Sequence, residues 1–190
     1  MADKHKILSS KFFSGKNTVK IAKSLLGKFL VRKYDAPTRK RSGQKSLNQA
    51  FLITEVEAYD GFQDRASHAY RGKTERNKIM FGPAGYWYVY FTYGMHWMLN
   101  IVTGSKDYPA AILIRGVNGI SGPARLTKAL HIDKNLNGKI ADKKSGLWLE
   151  DRGIKIKPSQ IKSAPRVGVN YAGPIWSKKK WRFILPPNLF

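Results

Sequence analysis

Hydrophobic and polar positions along this chain follow two rhythms. At residues 18–30, Val19, Ile21, Ala22, Leu25 and Leu26 recur at helical spacing, with Thr18 placed to cap the start and Gly27 to end it. Short apolar runs then predict strands at 29–31, 51–59 and 110–117. Gly122-Pro123 opens a second helix, with Leu126, Ala129 and Leu130 on its apolar side. Residues 166–169 and 181–185 read as closing segments. Between these elements, residues 1–8 read as a flexible tail, 34–50 as a basic loop and 60–80 as polar and irregular. Residues 133–163 are loop-rich and hold eight basic side chains, which either grip phosphate or are simply solvated.

One stretch fits neither an amphipathic helix nor a half-wet strand. Residues 85–102 are almost all β-branched or aromatic, interrupted at Tyr93-Gly94. They predict two strands, 86–92 and 95–102, joined by a tight turn with Tyr93 at its tip. A hairpin with one solvated side would alternate apolar and polar residues, and this one does not. Either both faces are buried in protein, or one face and the tip meet a flat apolar partner such as nucleic-acid bases.

Charge narrows the partner. Thirty-five Lys and Arg against 12 Asp and Glu give a net charge of +23, a field suited to a polyanion. The basic residues are dispersed rather than striped along one amphipathic helix, which favours nucleic acid over lipid. The aromatic hairpin is as long as a membrane span, but Gly94, His96 and Asn100 argue against one. With no apolar leader, an intracellular protein in cytoplasm or nucleoid (nucleus in a eukaryote) is expected. There is no cysteine, and the four histidines show no metal spacing, so neither a metal nor another cofactor is expected.

Acids are scarce, which makes residues 53–59 notable. Strand periodicity puts Glu55, Glu57 and Tyr59 on one face. The two carboxylates either pair with surplus Lys and Arg or carry chemistry. Arg115, ending the apolar run 111–114, either orients a carboxylate or phosphate or lies exposed.

Taken together, Glu55-Val56-Glu57-Ala58-Tyr59, His68, Met80-Phe81, Gly85, the Tyr88-to-Met95 hairpin and Asn100 resemble the alkyladenine (3-methyladenine) DNA glycosylase family, of the methylpurine type. The resemblance continues through Leu113-Ile114-Arg115, Gly122-Pro123, Arg166-Val167-Gly168-Val169 and Arg182-Phe183, and spans residues 9–185. It implies an α+β fold: one compact domain over residues 1–190 with a curved, mostly antiparallel sheet, surrounding helices and a protruding hairpin. It also implies a monomeric enzyme of base-excision repair. Such an enzyme flips alkylated or deaminated purines out of double-stranded DNA and hydrolyses the N-glycosidic bond.

The resemblance carries roles residue by residue. Tyr93 would fill the vacated stack with Met95 in support. Tyr59 would lie on one face of the flipped base, His68 and Tyr90 on the other, with the His68 main-chain amide at the base edge. Asn100 would crowd the amino group of guanine, and Leu113 would line the same pocket. Glu57 would be the general base, with Arg115 and the Val167 carbonyl fixing its water; Glu55 does not match the catalytic position. No lysine matches a Schiff-base nucleophile. The alternative is a non-catalytic basic nucleic-acid-binding protein, which would explain charge and aromatics but not the set Glu57, Tyr59, His68 and Arg115.

Overall fold

The computed structural model describes residues 5–34 and 47–189. Its strands, in chain order, are β1 (Lys6–Ile7), β2 (Phe29–Tyr34), β3 (Leu47–Asp60), β4 (Trp87–Thr92), β5 (His96–Val102), β6 (Ala110–Val117), β7 (Ile120–Ser121), β8 (Leu147–Asp151), β9 (Lys162–Ala164) and β10 (Arg182–Ile184). The helices are α1 (Ser10–Phe13), α2 (Thr18–Leu25), α3 (Pro123–Ala129) and α4 (Gly173–Lys178).

The long strand β3 organises the sheet. Its first half pairs with β2; its second half lies between β6 and β10. Register shifts around Glu55 mark an irregularity where the strand changes partners. The main path runs β1-β8-β2-β3-β6-β5-β4, and the strand pairs along it are antiparallel. The fold is thus α+β with an antiparallel sheet, as the family resemblance implies.

Period-2 alternation divides the two faces of the β3-β6-β5-β4 sheet. Val56, Ala58, Ile112, Ile114, Leu99, Ile101, Trp87 and Val89 point into the main core, which Ile21, Ala22 and Leu25 of α2 and Leu126 of α3 close. Burial of this area drives folding at roughly 25 cal/mol per Å² of apolar surface. The opposite face carries Glu57, Tyr59, Leu113, Arg115, Asn100, Tyr88 and Tyr90, and this is the face left for a site.

The hairpin is β4 and β5, with Tyr93 and Gly94 in its turn, both at positive φ (52° and 64°). Burial of both faces holds at its base and fails at its tip. Near its base Trp87 and Leu99 sit in the main core while Tyr88 is buried in a second cluster; near its tip Phe91, Tyr93 and Met95 are exposed.

Several readings are corrected. Residues 5–8 are not a tail: Lys6–Ile7 pairs with β8 and Leu8 is buried. Tyr34 and residues 47–50 belong to strands rather than to a basic loop, whose remainder (35–46) lies outside the described residues. Within 133–163, Leu147–Asp151 is a strand paired with β1 and β2. Asn17, not Thr18, caps α2, its Oδ1 accepting the Lys20 amide at 2.8 Å. Thr18 is instead buried, donating to Asp60 at 2.9 Å. Ala129 of α3 is exposed; Thr127 is buried in its place because its hydroxyl donates to the Trp97 carbonyl at 2.9 Å. Residues 166–169 form a turn rather than a regular element. Among the described residues, no helix is long and apolar enough to cross a membrane, and no cluster of three His, Asp or Glu could hold a metal.

Candidate active site

The site begins as one row across four strands. Glu57 pairs with Leu113, Leu113 with Asn100, and Asn100 with Tyr88. Two residues away along β3, β6 and β4, on the same face, stand Tyr59, Arg115 and Tyr90. Above them lies a cavity of about 1060 Å³, at the upper end of the roughly 300–1,000 Å³ typical of ligand sites. Tyr59, His68, Tyr88, Tyr90, Asn100, Leu113, Arg115 and Val167 line it, as does Tyr93 at the hairpin tip. Arg65, Arg71 and Arg76 line it too, and among the described residues no Asp or Glu does.

Glu57 lies beneath this cavity, with no exposed surface. Its Oε1 accepts the Val167 main-chain amide at 2.8 Å and its Oε2 accepts the Tyr59 phenol at 2.9 Å. Arg115 Nη1 stands 3.5 Å from Oε2. Burial pushes the Glu57 carboxyl above the usual glutamate range, and Arg115, the Val167 amide and Tyr59 pull it part of the way back. Val167 meets Glu57 through its main-chain N–H.

Glu55 sits elsewhere. It accepts Arg115 Nε at 3.0 Å and Arg182 Nη1 at 3.2 Å, and does not line the cavity.

The aromatic walls are held by their own network. His68 Nδ1 and the Tyr88 hydroxyl share a hydrogen bond of 3.2 Å, and the His68 ring meets Tyr90 edge-on at 4.6 Å. Burial, with Arg76 nearby, lowers the His68 pKa to about 4, so its ring is neutral at physiological pH. Asn77 Nδ2 bonds the His68 carbonyl at 2.9 Å and fixes the loop that carries it. The His68 main-chain amide makes no hydrogen bond to another described residue.

Asn100 donates from Nδ2 to the Tyr88 carbonyl at 3.1 Å. Its amide nitrogen therefore serves the hairpin, and the carbonyl oxygen is the group left for the cavity.

Sequence reasoning assigned no role to Asp64 or Arg166. Both are fully buried, and Arg166 reaches Asp64 through Nη1 at 2.6 Å and Nη2 at 2.8 Å. Asp64 also accepts the amides of Asp60 and Ala66. The Arg166 guanidinium donates to the Ala58 carbonyl and packs on the Tyr59 ring at 4.8 Å. One ion pair thus ties together the segments bearing Tyr59, His68 and Val167. The available signal was an acid between Tyr59 and His68 in a chain with so few.

The turn at Tyr93 also informs. The Met95 amide closes the turn on the Thr92 carbonyl at 3.1 Å, and both residues between have positive φ, where a tyrosine is strained and Asn is better tolerated. Tyr93 is 78% exposed and Met95 67%, so the tip presents two apolar side chains to solvent. Replacing Tyr93 by Asn should leave stability unchanged or raise it by up to about 1 kcal/mol, measured by urea unfolding. A loss of stability would mean that the tyrosine is held by packing.

Known proteins resemble this chain over most of its length. The sequence profile of the methylpurine-DNA glycosylase family matches residues 11–121 and 118–189. A protein of Anaeromyxobacter dehalogenans is 40% identical over 183 residues, covering 91% of this chain and 81% of its own. One from Methanocella arvoryzae is 39% identical, covering 90% and 88%, and one from Ehrlichia chaffeensis 35%, covering 98% and 97%. Each carries the provisional name 3-methyladenine DNA glycosylase. On the profile match and these relatives, the chain belongs to the methylpurine-DNA glycosylase family.

Proposed function

We propose that this chain is a monomeric, monofunctional DNA glycosylase, one domain over residues 1–190, that excises alkylated or deaminated purines from duplex DNA. The observation that carries the proposal is the buried Glu57 cluster at the floor of a basic, aromatic cavity, beside an exposed apolar hairpin tip.

The target bond is inaccessible in a duplex, so the nucleotide must leave the stack at a cost of a few kcal/mol. Tyr93 offsets that cost by entering the minor groove, with Met95 beside it. The flipped purine then lies between Tyr59 and the His68–Tyr90 pair; stacking is worth about 1–3 kcal/mol per base. The His68 main-chain amide is available to donate to the base edge. Arg65, Arg71 and Arg76 supply positive charge for the phosphates.

Glu57 takes the proton from water as that water attacks C1′, and its charge stabilises the oxocarbenium-like transition state. The approach from the cavity passes the Tyr59 phenol, the Arg115 guanidinium or the Val167 amide, so one of them must yield to admit the water. The C1′–N9 bond breaks with its electron pair departing on the purine, which leaves neutral when alkylation had made it cationic and takes a proton from solvent when not. The proton of the attacking water goes to the Glu57 carboxylate, and the abasic sugar keeps the hydroxyl. No lysine lines the cavity among the described residues, which supports water over an amine as nucleophile.

A duplex carrying hypoxanthine or ethenoadenine tests this. Free base should appear, and strand breaks should follow only after alkali. Breaks without alkali would contradict the monofunctional reading, and no released base would leave a nucleic-acid-binding protein.

The raised Glu57 pKa gives a pH signature. The base acts as the carboxylate, so the excision rate should rise with pH through a limb lying above the usual glutamate value of 4.5. A single-turnover profile with its limb at or below that value would contradict it.

Asn100→Ser should open the cavity to the amino group of normal guanine, because a shorter side chain removes the obstruction. It should also lower stability by about 1 kcal/mol, the bond to the Tyr88 carbonyl being lost. Chromatography of bases freed from undamaged duplex decides: no guanine above the wild-type level removes the gatekeeper role.

A further inference from the structure

Glu55 lies outside the cavity, yet it is half of an arrangement that reaches Glu57. Two carboxylates and two guanidiniums form a chain across three strands: Glu57 on β3, Arg115 on β6, Glu55 on β3 again, and Arg182 on β10. The links are 3.5 Å from Glu57 Oε2 to Arg115 Nη1, 3.0 Å from Arg115 Nε to Glu55 Oε1, and 3.2 Å from that oxygen to Arg182 Nη1. Arg182 stands directly opposite Glu57 in the β3–β10 register, but its guanidinium goes to Glu55. Its Nε meanwhile donates to the Pro165 carbonyl at 3.0 Å, two residues before the amide that binds Glu57. Arg182 therefore joins both sides of the Glu57 cradle.

We propose that Glu55 and Arg182 are positioning residues, which hold Arg115 and the segment before Val167 on Glu57 and balance the charge around its carboxylate. The proposal deepens the glycosylase reading, on which it rests for its effect on rate.

The physical argument is a balance of neighbours. With Glu55 in place, the Arg115 charge is divided between two carboxylates, and Arg182 is neutralised before it can act on Glu57. Burial then outweighs the remaining attraction, and Glu57 keeps a carboxyl raised enough to accept a proton from water. The other groups facing Glu57 are the phenol of Tyr59 on its own strand, Tyr90 of the hairpin, Arg166 ahead of Val167, and Tyr171 before α4. None of these four hydrogen-bonds or ion-pairs with Glu55, so Glu55→Gln leaves their bonds intact, whereas Arg182→Gln also frees the Pro165 carbonyl ahead of Arg166.

Removing one partner or the other should therefore move Glu57 in opposite directions. Glu55→Gln leaves two guanidiniums without their shared carboxylate and should lower the Glu57 titration midpoint by about one pH unit. Arg182→Gln leaves the Glu55 charge less compensated and should raise it by a similar amount. The double variant removes one negative and one positive charge together, so the two opposite shifts should offset and return the midpoint close to wild type.

The readout is the carbon-13 shift of the Glu57 side-chain carboxyl against pH, assigned by its absence in Glu57→Gln. This titration does not depend on excision, so a chain that released no base would still answer it. In an active enzyme, the acid limb of single-turnover excision should follow the same midpoints. Opposite shifts that cancel in the double variant support the proposal. An unmoved midpoint, or shifts in one direction with activity merely reduced, overturns it. Should Glu55→Gln not fold, Arg182→Gln decides alone, and a midpoint unchanged or lowered there overturns the proposal.

Discussion

Glu57→Gln should lower single-turnover excision by about a thousandfold while duplex affinity stays within about twofold of wild type. Glutamine keeps the shape: its carbonyl can accept the Val167 amide, and its NH₂ can donate to the Tyr59 oxygen. It cannot take a proton from water. Affinity survives because Glu57 has no exposed surface and does not line the cavity, and because the substitution removes a negative charge from a basic protein. Base release by chromatography and binding by fluorescence anisotropy at fixed salt are the two measurements. Turnover within tenfold of wild type would mean that no proton passes through Glu57.

Asp64→Ala should cost about 3–5 kcal/mol of folding stability, because it leaves the Arg166 guanidinium charged and buried without its partner. Two charge-assisted bonds, of 2.6 and 2.8 Å, disappear together, and the amides of Asp60 and Ala66 lose their acceptor. Replacing both members, as in Asp64→Leu with Arg166→Met, should cost less, since no unpaired charge remains. Urea unfolding checks both. A loss below about 1 kcal/mol for Asp64→Ala would mean that the pair is not isolated from water. The surviving protein should also excise poorly, since the pair joins the segments bearing Tyr59, His68 and Val167.

The sequence made one face of the site readable and hid its supports. Alternation along 53–59 puts Glu55, Glu57 and Tyr59 on one face, while Asn100 and Leu113 come in through the family resemblance, and the β3–β6 and β5–β6 registers set them beside Glu57. Tyr93-Gly94 announces its turn through glycine. Strand β8 escapes because it is only five residues long, ends in Glu150-Asp151 and follows two lysines. Glu150 can be buried there because Trp148 Nε1 and Arg152 satisfy its carboxylate. No local pattern shows that. Arg166 reads as one more cation in a basic chain, and its burial depends on Asp64, 102 residues earlier. Likewise residues 6–7 look like a tail because their partner strand is distant in sequence. Where one residue's environment is made by its neighbours along the chain, the pattern suffices; where it is made by a distant contact, it does not.

The central claim is that a purine leaves the duplex and enters the Tyr59–His68–Tyr90 pocket. Ethenoadenine fluorescence reports its own stacking, so stopped-flow mixing of Glu57→Gln with a duplex containing one ethenoadenine measures that step without chemistry. The account predicts a binding phase followed by a change in emission as the base is exchanged between stacks, with this second phase lost in Tyr93→Asn. Tight binding with no second phase, or a second phase of equal size and rate in Tyr93→Asn, would contradict it.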